Sequence, residues 1–383
     1  MNAHPLHQRP VHVAGIGLHR YQRRSGTSYA QLGVTAVRAA LEDAGICWPD
    51  VDAAVVGSAL LGMAPGRIML ARLGATGLSI HQVENASASG STAVAQAVLM
   101  VASGLHDVVL AVGVDTPEPW RVAPSQAGIG SLEGGLVAPF THFALLAAHY
   151  QREYGVTDVQ LARVAEKNHR NGASNPFAQR QQVRTLDEIL ERPISGPFTR
   201  LQCCPVGEGA AAVIVMSEAA MERSGVDRAR CPRFVASVQR SQGFVEPGGN
   251  ADTVLTADTA RRTFEQAGIG PDDVDVVEMH DAFTIEELLY LEAMGFCAAG
   301  EAAPLLDAGA WDVGGRCAVS PSGGLLAMGH PLGPTGTGQV VELTRQLRGE
   351  AGVRQQPDAR YGLAHMVGIG AVCVMHILER QTS

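Results

Sequence analysis

Two hydrophobic rhythms alternate along the chain. Short runs bounded or filled by apolar residues (residues 11–16, 53–57, 80–83 and 108–112) predict strands. Between them, apolar residues at helical spacing predict helices over 30–41 and 91–102. The second half has the same order: strand 233–238, helix 256–266, strand 274–278, helix 285–294, helix 336–347, and strands near Leu363 and over 372–377. Strands alternating with helices indicate an α/β protein. The helix that starts near Ser91 is apolar almost all round, which predicts a central, buried position.

Part of this pattern recurs. Leu41-Glu42-Asp43-Ala44-Gly45-Ile46, followed by Val51-Asp52 and an apolar run, returns as Phe264-Glu265-Gln266-Ala267-Gly268-Ile269, followed by Val274-Asp275 and Val276-Val277. Each glycine falls where a helix C-cap is expected, six residues before its valine. The recurrence predicts a duplicated pair of α/β domains. Residues 1–115 and 200–225 form the N-terminal half and residues 226–383 the C-terminal half. Residues 116–199 break the rhythm and read as an inserted loop region over a site, with helices at 143–154 and 158–171.

Composition narrows the class. The 383 residues are 46% hydrophobic and 17% charged, a globular balance, and the net charge of −9 argues against a nucleic-acid partner. Lys167 is the sole lysine, so the positive charge is almost all arginine. Seven scattered cysteines without a CxxC pair fit reduced thiols, with no metal site in this chain. The first ten residues lack a signal-peptide core, and no apolar run reaches the length of a membrane span, so the expectation is a cytoplasmic protein.

Two distant segments carry candidate chemistry. Glu84 to Ser91 places Ser87 just before the central helix, where serine also commonly serves as an N-cap. A helix terminus supplies at most ~2 kcal/mol, about one and a half pKa units at ~1.36 kcal/mol each. That brings a thiol to neutrality but not a hydroxyl, so Ser87 as nucleophile needs a base. His330, in the run Gly323 to Gly333, is the candidate. The run lacks the Gly-Lys-Ser/Thr ending of a nucleotide loop. His280 and Asp281 follow a strand, where α/β sheets place functional groups; His280 is a candidate to hold a water or donate to an oxyanion, and Asp281 reads as a helix cap. Lys167, His169, Arg170, Arg180 and Arg184 form a basic tract that reads either as a solvated face or as contacts to the phosphates of an anionic cofactor. Cys203-Cys204 reads as packing rather than ligation.

These segments together resemble the thiolase superfamily over nearly the whole chain, and most closely its sterol-carrier-type branch. The resemblance rests on Glu84 to Ser91, His280-Asp281-Ala282-Phe283, Gly329-His330-Pro331 within 322–338, Cys203 to Ala212 and Leu161 to Asn175. It implies duplicated α/β domains in a five-layer core, in a homodimer, acting on an acyl-CoA with coenzyme A as substrate or co-substrate. It implies an acyl-enzyme at position 87, activation by His330, a water held by His280 and a second oxyanion hole that uses the N–H of Gly368. Lys167, His169, Arg170 and Arg184 are the implied coenzyme A contacts. The chain departs from the family in carrying Ser87 for the nucleophile cysteine, Met366-Val367-Gly368 for a Cys-x-Gly segment, and Ala282 within the His-Asp-x-Phe motif. Family members with that alanine resemble subunits that work beside an OB-fold, zinc-ribbon partner.

The leading expectation is therefore a thiolase-like acyltransferase acting on a β-ketoacyl-CoA, with activity weakened or altered by Ser87. A retro-aldol lyase on a β-hydroxyacyl-CoA is the alternative, because it needs a base and an oxyanion hole but no nucleophile. A non-catalytic coenzyme A-binding or assembly subunit is the third.

Overall fold

The computed structural model describes residues 5–117, 139–246, 249–368 and 372–381. Ten strands form the main sheet: β1 (Val11–Gln22), β2 (Ala53–Gly57), β3 (Ser79–Val83), β4 (Val108–Asp115), β5 (Glu208–Ser217), β6 (Arg233–Ser241), β7 (Val276–Glu278), β8 (Ala318–Val319), β9 (Tyr361–Gly368) and β10 (Val372–Glu379). Their order is β8-β7-β9-β10-β6-β1-β5-β4-β2-β3. A single paired position, His12 with Arg233, joins β1 to β6 and is the seam between two five-stranded halves.

Read outward from that seam, the halves have one topology. In the first, β1 and β4 flank β5 antiparallel, and β4, β2 and β3 run parallel. In the second, β6 and β9 flank β10 antiparallel, and β9, β7 and β8 run parallel. The repeated sequence element matches to the residue. Helix α1 (Tyr29–Ala44) ends at Gly45 with φ 68°, and α5 (Ala251–Ala267) ends at Gly268 with φ 72°, the left-handed cap conformation that glycine adopts without strain.

Helices α2 (Ser89–Ala102) and α7 (Leu332–Arg348) lie between the two halves of the sheet. Helix α2 packs on β2, β4 and β5 of its own half and on β6 and β10 of the other, while α7 packs on β7 and β9 as well as β4 and β5. A shared cluster joins Ala93, Val94, Ala97 and Val101 to Val340, Val341 and Leu343, and to inward residues of both sheet halves. Along β2, Ala53 and Val55 enter this central cluster while Ala54 and Val56 enter the outer one, as a two-residue repeat requires. Helix α1 covers the outer face of the first half, and α5 with α6 (Thr284–Ala293) that of the second. The result is five layers, helix-sheet-helix-sheet-helix.

The central helices touch at glycines. A Cβ on Gly90 would stand 2.3 Å from the carbonyl oxygen of Gly333, and one on Gly336 would stand 2.0 Å from Ser91 Oγ. Contact this close sets the distance between the two helix N-termini, and with it the site.

Some boundaries differ from expectation. The central helix begins at Ser89 rather than 91. Strand β5, buried at every position, and the two-residue β8 carry too little pattern to register as strands. In the intervening segment, helix α3 (Pro139–Tyr154) starts four residues before the expected 143 and α4 (Asp158–Ala173) ends two residues beyond the expected 171; the part of the segment over 118–138 lies outside the described residues.

Candidate active site

Ser87 stands on a strained turn. Ala86, just before it, has φ 49°, a left-handed conformation that costs a non-glycine residue roughly 1 kcal/mol or more and that clusters at functional sites. The turn is clamped from both sides. Glu84 Oε1 accepts from the Ala86 N–H at 2.6 Å, and Ser89 Oγ accepts from the Asn85 N–H at 2.9 Å while donating to the Ala86 carbonyl at 2.7 Å. The helix cap position belongs to Ala88 and has no side-chain cap, so Ser87 is not the N-cap that its sequence position allows. Its hydroxyl is free for other work.

That hydroxyl meets His330 across 243 residues of chain, with Ser87 Oγ 3.1 Å from His330 Nε2. The other ring nitrogen fixes the roles. Thr335 Oγ1 lies 3.0 Å from His330 Nδ1 and donates its own proton to the Pro331 carbonyl at 2.6 Å. The threonine oxygen therefore accepts from Nδ1–H, which leaves Nε2 as the acceptor facing the serine O–H. Burial, reinforced by the nearby His280, pushes the His330 pKa well below its ordinary value and keeps the ring neutral. This is the geometry of a general base on a hydroxyl.

His280 completes the group. Its ring stands edge-on to that of His330, with centroids 5.4 Å apart and planes at 87°. Its Nδ1 lies 2.8 Å from Glu286 Oε1. Gly368, at the end of β9, abuts the same corner; a Cβ there would stand 2.3 Å from the Asn85 carbonyl oxygen. Ser87, His280, His330 and Gly368 thus converge.

Asp281 does not cap the following helix. It is fully buried and accepts from the Leu325 N–H and from Asn168 Nδ2, both at 2.6 Å. Glu286 accepts from the Phe283 N–H at the start of α6 instead. Asp281 therefore ties the His280 segment to the glycine run before His330. Asp115, at the end of β4, tethers the same run from the other side. It accepts from Gly333 N–H at 2.6 Å, from the N–H groups of Ala59 and Leu60, and from Ser58 Oγ. Burial raises it to about 6 against the pull of those donors.

The basic tract divides. A cleft of about 1350 Å³ is lined by His169, Arg180 and Arg184 together with Arg20, Arg23, Arg192 and Arg200. Arg170 is outside it, on the surface, paired with Asp312 at 2.5 Å. Lys167 is also outside: it is 2% exposed, paired with Glu287 at 3.1 Å and donating to the Val319 carbonyl. Helix α4 turns Lys167 inward and Arg170 outward, so the expected phosphate contacts at these two positions are corrected. The cleft adjoins the site through its floor. Gln179 N–H and Arg180 N–H donate to the carbonyls of Met328 and Ala327, and Cys204 N–H donates to that of Ala282. Phe143 stacks on Phe283 at 4.4 Å, so the intervening segment covers the His280 loop. Among the described residues no cluster of side chains could hold a metal ion, and no helix is long and apolar enough to cross a membrane.

Sequence reading missed Thr335, Glu286, Asp115 and four of the arginines. Thr335 and Glu286 lie five and six residues beyond their histidines, a spacing that hints at contact once the histidines are suspected. Asp115 and the arginines leave no such signal.

Comparison with known proteins agrees with this architecture. Residues 18–190 match the family description "Thiolase, N-terminal domain" and residues 250–380 match "Thiolase C-terminal domain-like". The chain is 36% identical over 391 residues to sterol carrier protein 2 of Rattus norvegicus, covering 95% of this chain and 71% of that protein. It is 35% identical over 373 residues to the benzoylsuccinyl-CoA thiolase subunit BbsB of Thauera aromatica, covering 95% and 96%. Among solved structures, the Ltp2-ChsH2(DUF35) aldolase superposes with a TM-score of 0.85 at 27% identity, covering 98% of each chain. With its duplicated five-layer fold and both family descriptions matched, the chain belongs to the thiolase family.

Proposed function

We propose that this protein makes or breaks a carbon–carbon bond next to the thioester of an acyl-CoA, by a thiolase-type reaction that passes through an acyl group on Ser87. The observation that carries this reading is the 3.1 Å contact between the Ser87 hydroxyl and the unprotonated Nε2 of a neutral His330, at a strained turn. Ser87 Oγ attacks the ketone carbon of a β-ketoacyl-CoA as His330 takes its proton. The bond to the α-carbon breaks, its electron pair moves onto the thioester oxygen as an enolate, and an acid on the His280 side gives that enolate a proton to release the shortened acyl-CoA. The thiol of coenzyme A then gives its proton back to that group, its sulfur takes the acyl carbon, and Ser87 leaves and regains its own proton from His330. Gly368 N–H and the His280 side are the candidate oxyanion donors.

Coenzyme A fits the arginine-lined cleft. Arg20, Arg23 and Arg200 have no carboxylate partner among the described residues, and guanidinium groups suit phosphate oxygens. His169 and Arg184 are contacts within it. The BbsB relative is named as a subunit and the aldolase neighbour is a two-component assembly, which supports a similar heteromer here, with an OB-fold, zinc-ribbon partner beside a homodimer of this chain.

A hydroxyl is a poorer nucleophile than a thiolate, so Ser87→Cys is expected to raise thiolysis of a β-ketoacyl-CoA panel. No gain from cysteine would count against the acyl-enzyme. Two observations favour the retro-aldol reading on a β-hydroxyacyl-CoA: among the described residues no cysteine hydrogen-bonds to either histidine, and the aldolase neighbour shares the fold over 98% of each chain. Aldehyde or ketone released without free coenzyme A would establish that reaction. Tight acyl-CoA binding with no turnover, alone or with the partner, would favour a binding subunit.

A further inference from the structure

The two imidazoles of the site are held by different partners, and the difference separates their work. His330 Nδ1 donates to a neutral hydroxyl, Thr335. His280 Nδ1 faces a carboxylate, Glu286, at 2.8 Å. The Glu286 side chain is 1% exposed, and its three donors are all accounted for: His280 Nδ1–H and Tyr290 O–H at 2.8 and 3.1 Å on Oε1, and Phe283 N–H at 2.9 Å on Oε2. No arginine or lysine is among them. His280 is therefore the group best placed to answer this carboxylate's charge. A carboxylate that accepts from Nδ1–H fixes the imidazole tautomer, and it offsets the charge formed when Nε2 takes a proton. Among the described residues nothing hydrogen-bonds to Nε2 of His280, and the side chain keeps 6% exposure.

We propose that Glu286 is a positioning residue that makes His280 the acid/base group at the acyl-CoA α-carbon, the task that falls to no cysteine in this chain. The assignment rests on the acyl-CoA reading above. In the step, His280 Nε2 takes a proton from the α-carbon. The C–H bond breaks, an N–H bond forms, and the electron pair moves onto the thioester oxygen. Glu286 remains a carboxylate and Nδ1 keeps its hydrogen throughout. In the cleavage direction the same nitrogen starts protonated, gives its proton to the enolate, and is recharged by the thiol proton of the incoming coenzyme A. His330, with only a hydroxyl behind it, can hold a proton from Ser87 transiently but has no counter-charge of its own. The other titratable groups near the pair are Asp252 and His142 at the start of α5 and α3, His365 on β9, Cys203 and Cys204 before β5, and Asp281 next in the chain.

Two measurements test this, and they fail separately. The first needs no substrate. In the unaltered protein, ¹⁵N NMR of the histidines, assigned by loss of one signal in His280→Asn, is expected to show His280 carrying its hydrogen on Nδ1, with Glu286→Gln disturbing that signature and Tyr290→Phe keeping it. A His280 that carries its hydrogen only on Nε2 in the unaltered protein would overturn the proposal whether or not any variant folds. The second follows deuterium entry at the α-carbon of acetyl-CoA in D₂O. Glu286→Gln is expected to slow exchange roughly 10²-fold, the scale of general acid–base catalysis, with KM for acetyl-CoA unchanged. Tyr290→Phe is expected to stay within about fivefold, since it leaves the Glu286 charge and its contact with His280 Nδ1–H in place. Exchange that persists at the full rate in a folded Glu286→Gln protein would also overturn the proposal. If the unaltered protein exchanges nothing, the acyl-CoA reading fails, while the NMR result still judges the Glu286–His280 pair.

Discussion

Ser87 and His330 occupy the same place in the two halves of the molecule. Each stands just before a central helix, α2 or α7, on the chain returning from the parallel edge of its half-sheet. The scaffold is repeated but the chemistry is not. The first half reaches its corner through one strained alanine, Ala86, held by side-chain clamps. The second reaches it through Ser320, left-handed at φ 52°, and then through glycines, with Gly323 and Gly329 at φ 108° and 105°. The strand ends differ in the same way. Asp115 ends β4 and holds Gly333 of the second half, while Gly368, at the matching end of β9, lies against Asn85 of the first. Each half thus supports the reactive loop of the other. A duplicated fold makes one site by bringing equivalent corners together and letting each specialise.

This comparison can be broken in graded steps. Removing the base at the second corner has the largest expected effect: His330→Ala should lower kcat for β-ketoacyl-CoA cleavage about 10³-fold, within the range of general base catalysis, while the fold survives by circular dichroism. Forcing the corners apart comes next. In Gly90→Val the new Cβ meets the Gly333 carbonyl at 2.3 Å and Thr337 Oγ1 at 2.8 Å. Overpacking against backbone is expected to cost about 3 kcal/mol, read from urea unfolding. Cutting the tether between halves, Asp115→Ala leaves four donors without their acceptor. A loss of about 2 kcal/mol is expected, less than the sum over the donors because Ala59 and Leu60 are partly exposed and water can satisfy them.

Two smaller tests sharpen the comparison. Thr335→Val removes the acceptor that fixes the His330 tautomer, and a roughly tenfold drop in kcat with unchanged KM is expected, the worth of one such hydrogen bond. The smallest effect is a flat line. Burial, with the nearby His280, keeps the folded His330 pKa well below 6.5, so the proposed base stays neutral as the pH falls through 6.5. The acid limb of kcat/KM assigned to this residue should lie well below 6.5. A limb at 6.5 would mean a solvated ring.

Much of this was legible in the sequence. The repeat around Gly45 and Gly268 marks the duplication because a helix end, a tight turn and a buried strand need particular residues at fixed local spacing. The serine and the two histidines stand out because a glycine-rich or helix-initiating context is itself local. Contacts between distant residues were not legible. Asp115 and Gly333 are 218 residues apart, and nothing in either neighbourhood names the other. Lys167 and Arg170 look alike in the sequence, yet the packing around helix α4 puts the first in a buried ion pair and leaves the second on the surface, three residues on.

The sequence by itself determined most of the strands, the helices, their duplication and the candidate reactive groups, since each of these follows from side-chain pattern over a few turns of chain. Tertiary structure decided which nitrogen of His330 faces Ser87, which carboxylate stands behind His280, and which arginines share a cleft. These depend on Ångström-scale placement of groups from separate segments, and that placement is set by how closely two glycine-faced helices pack.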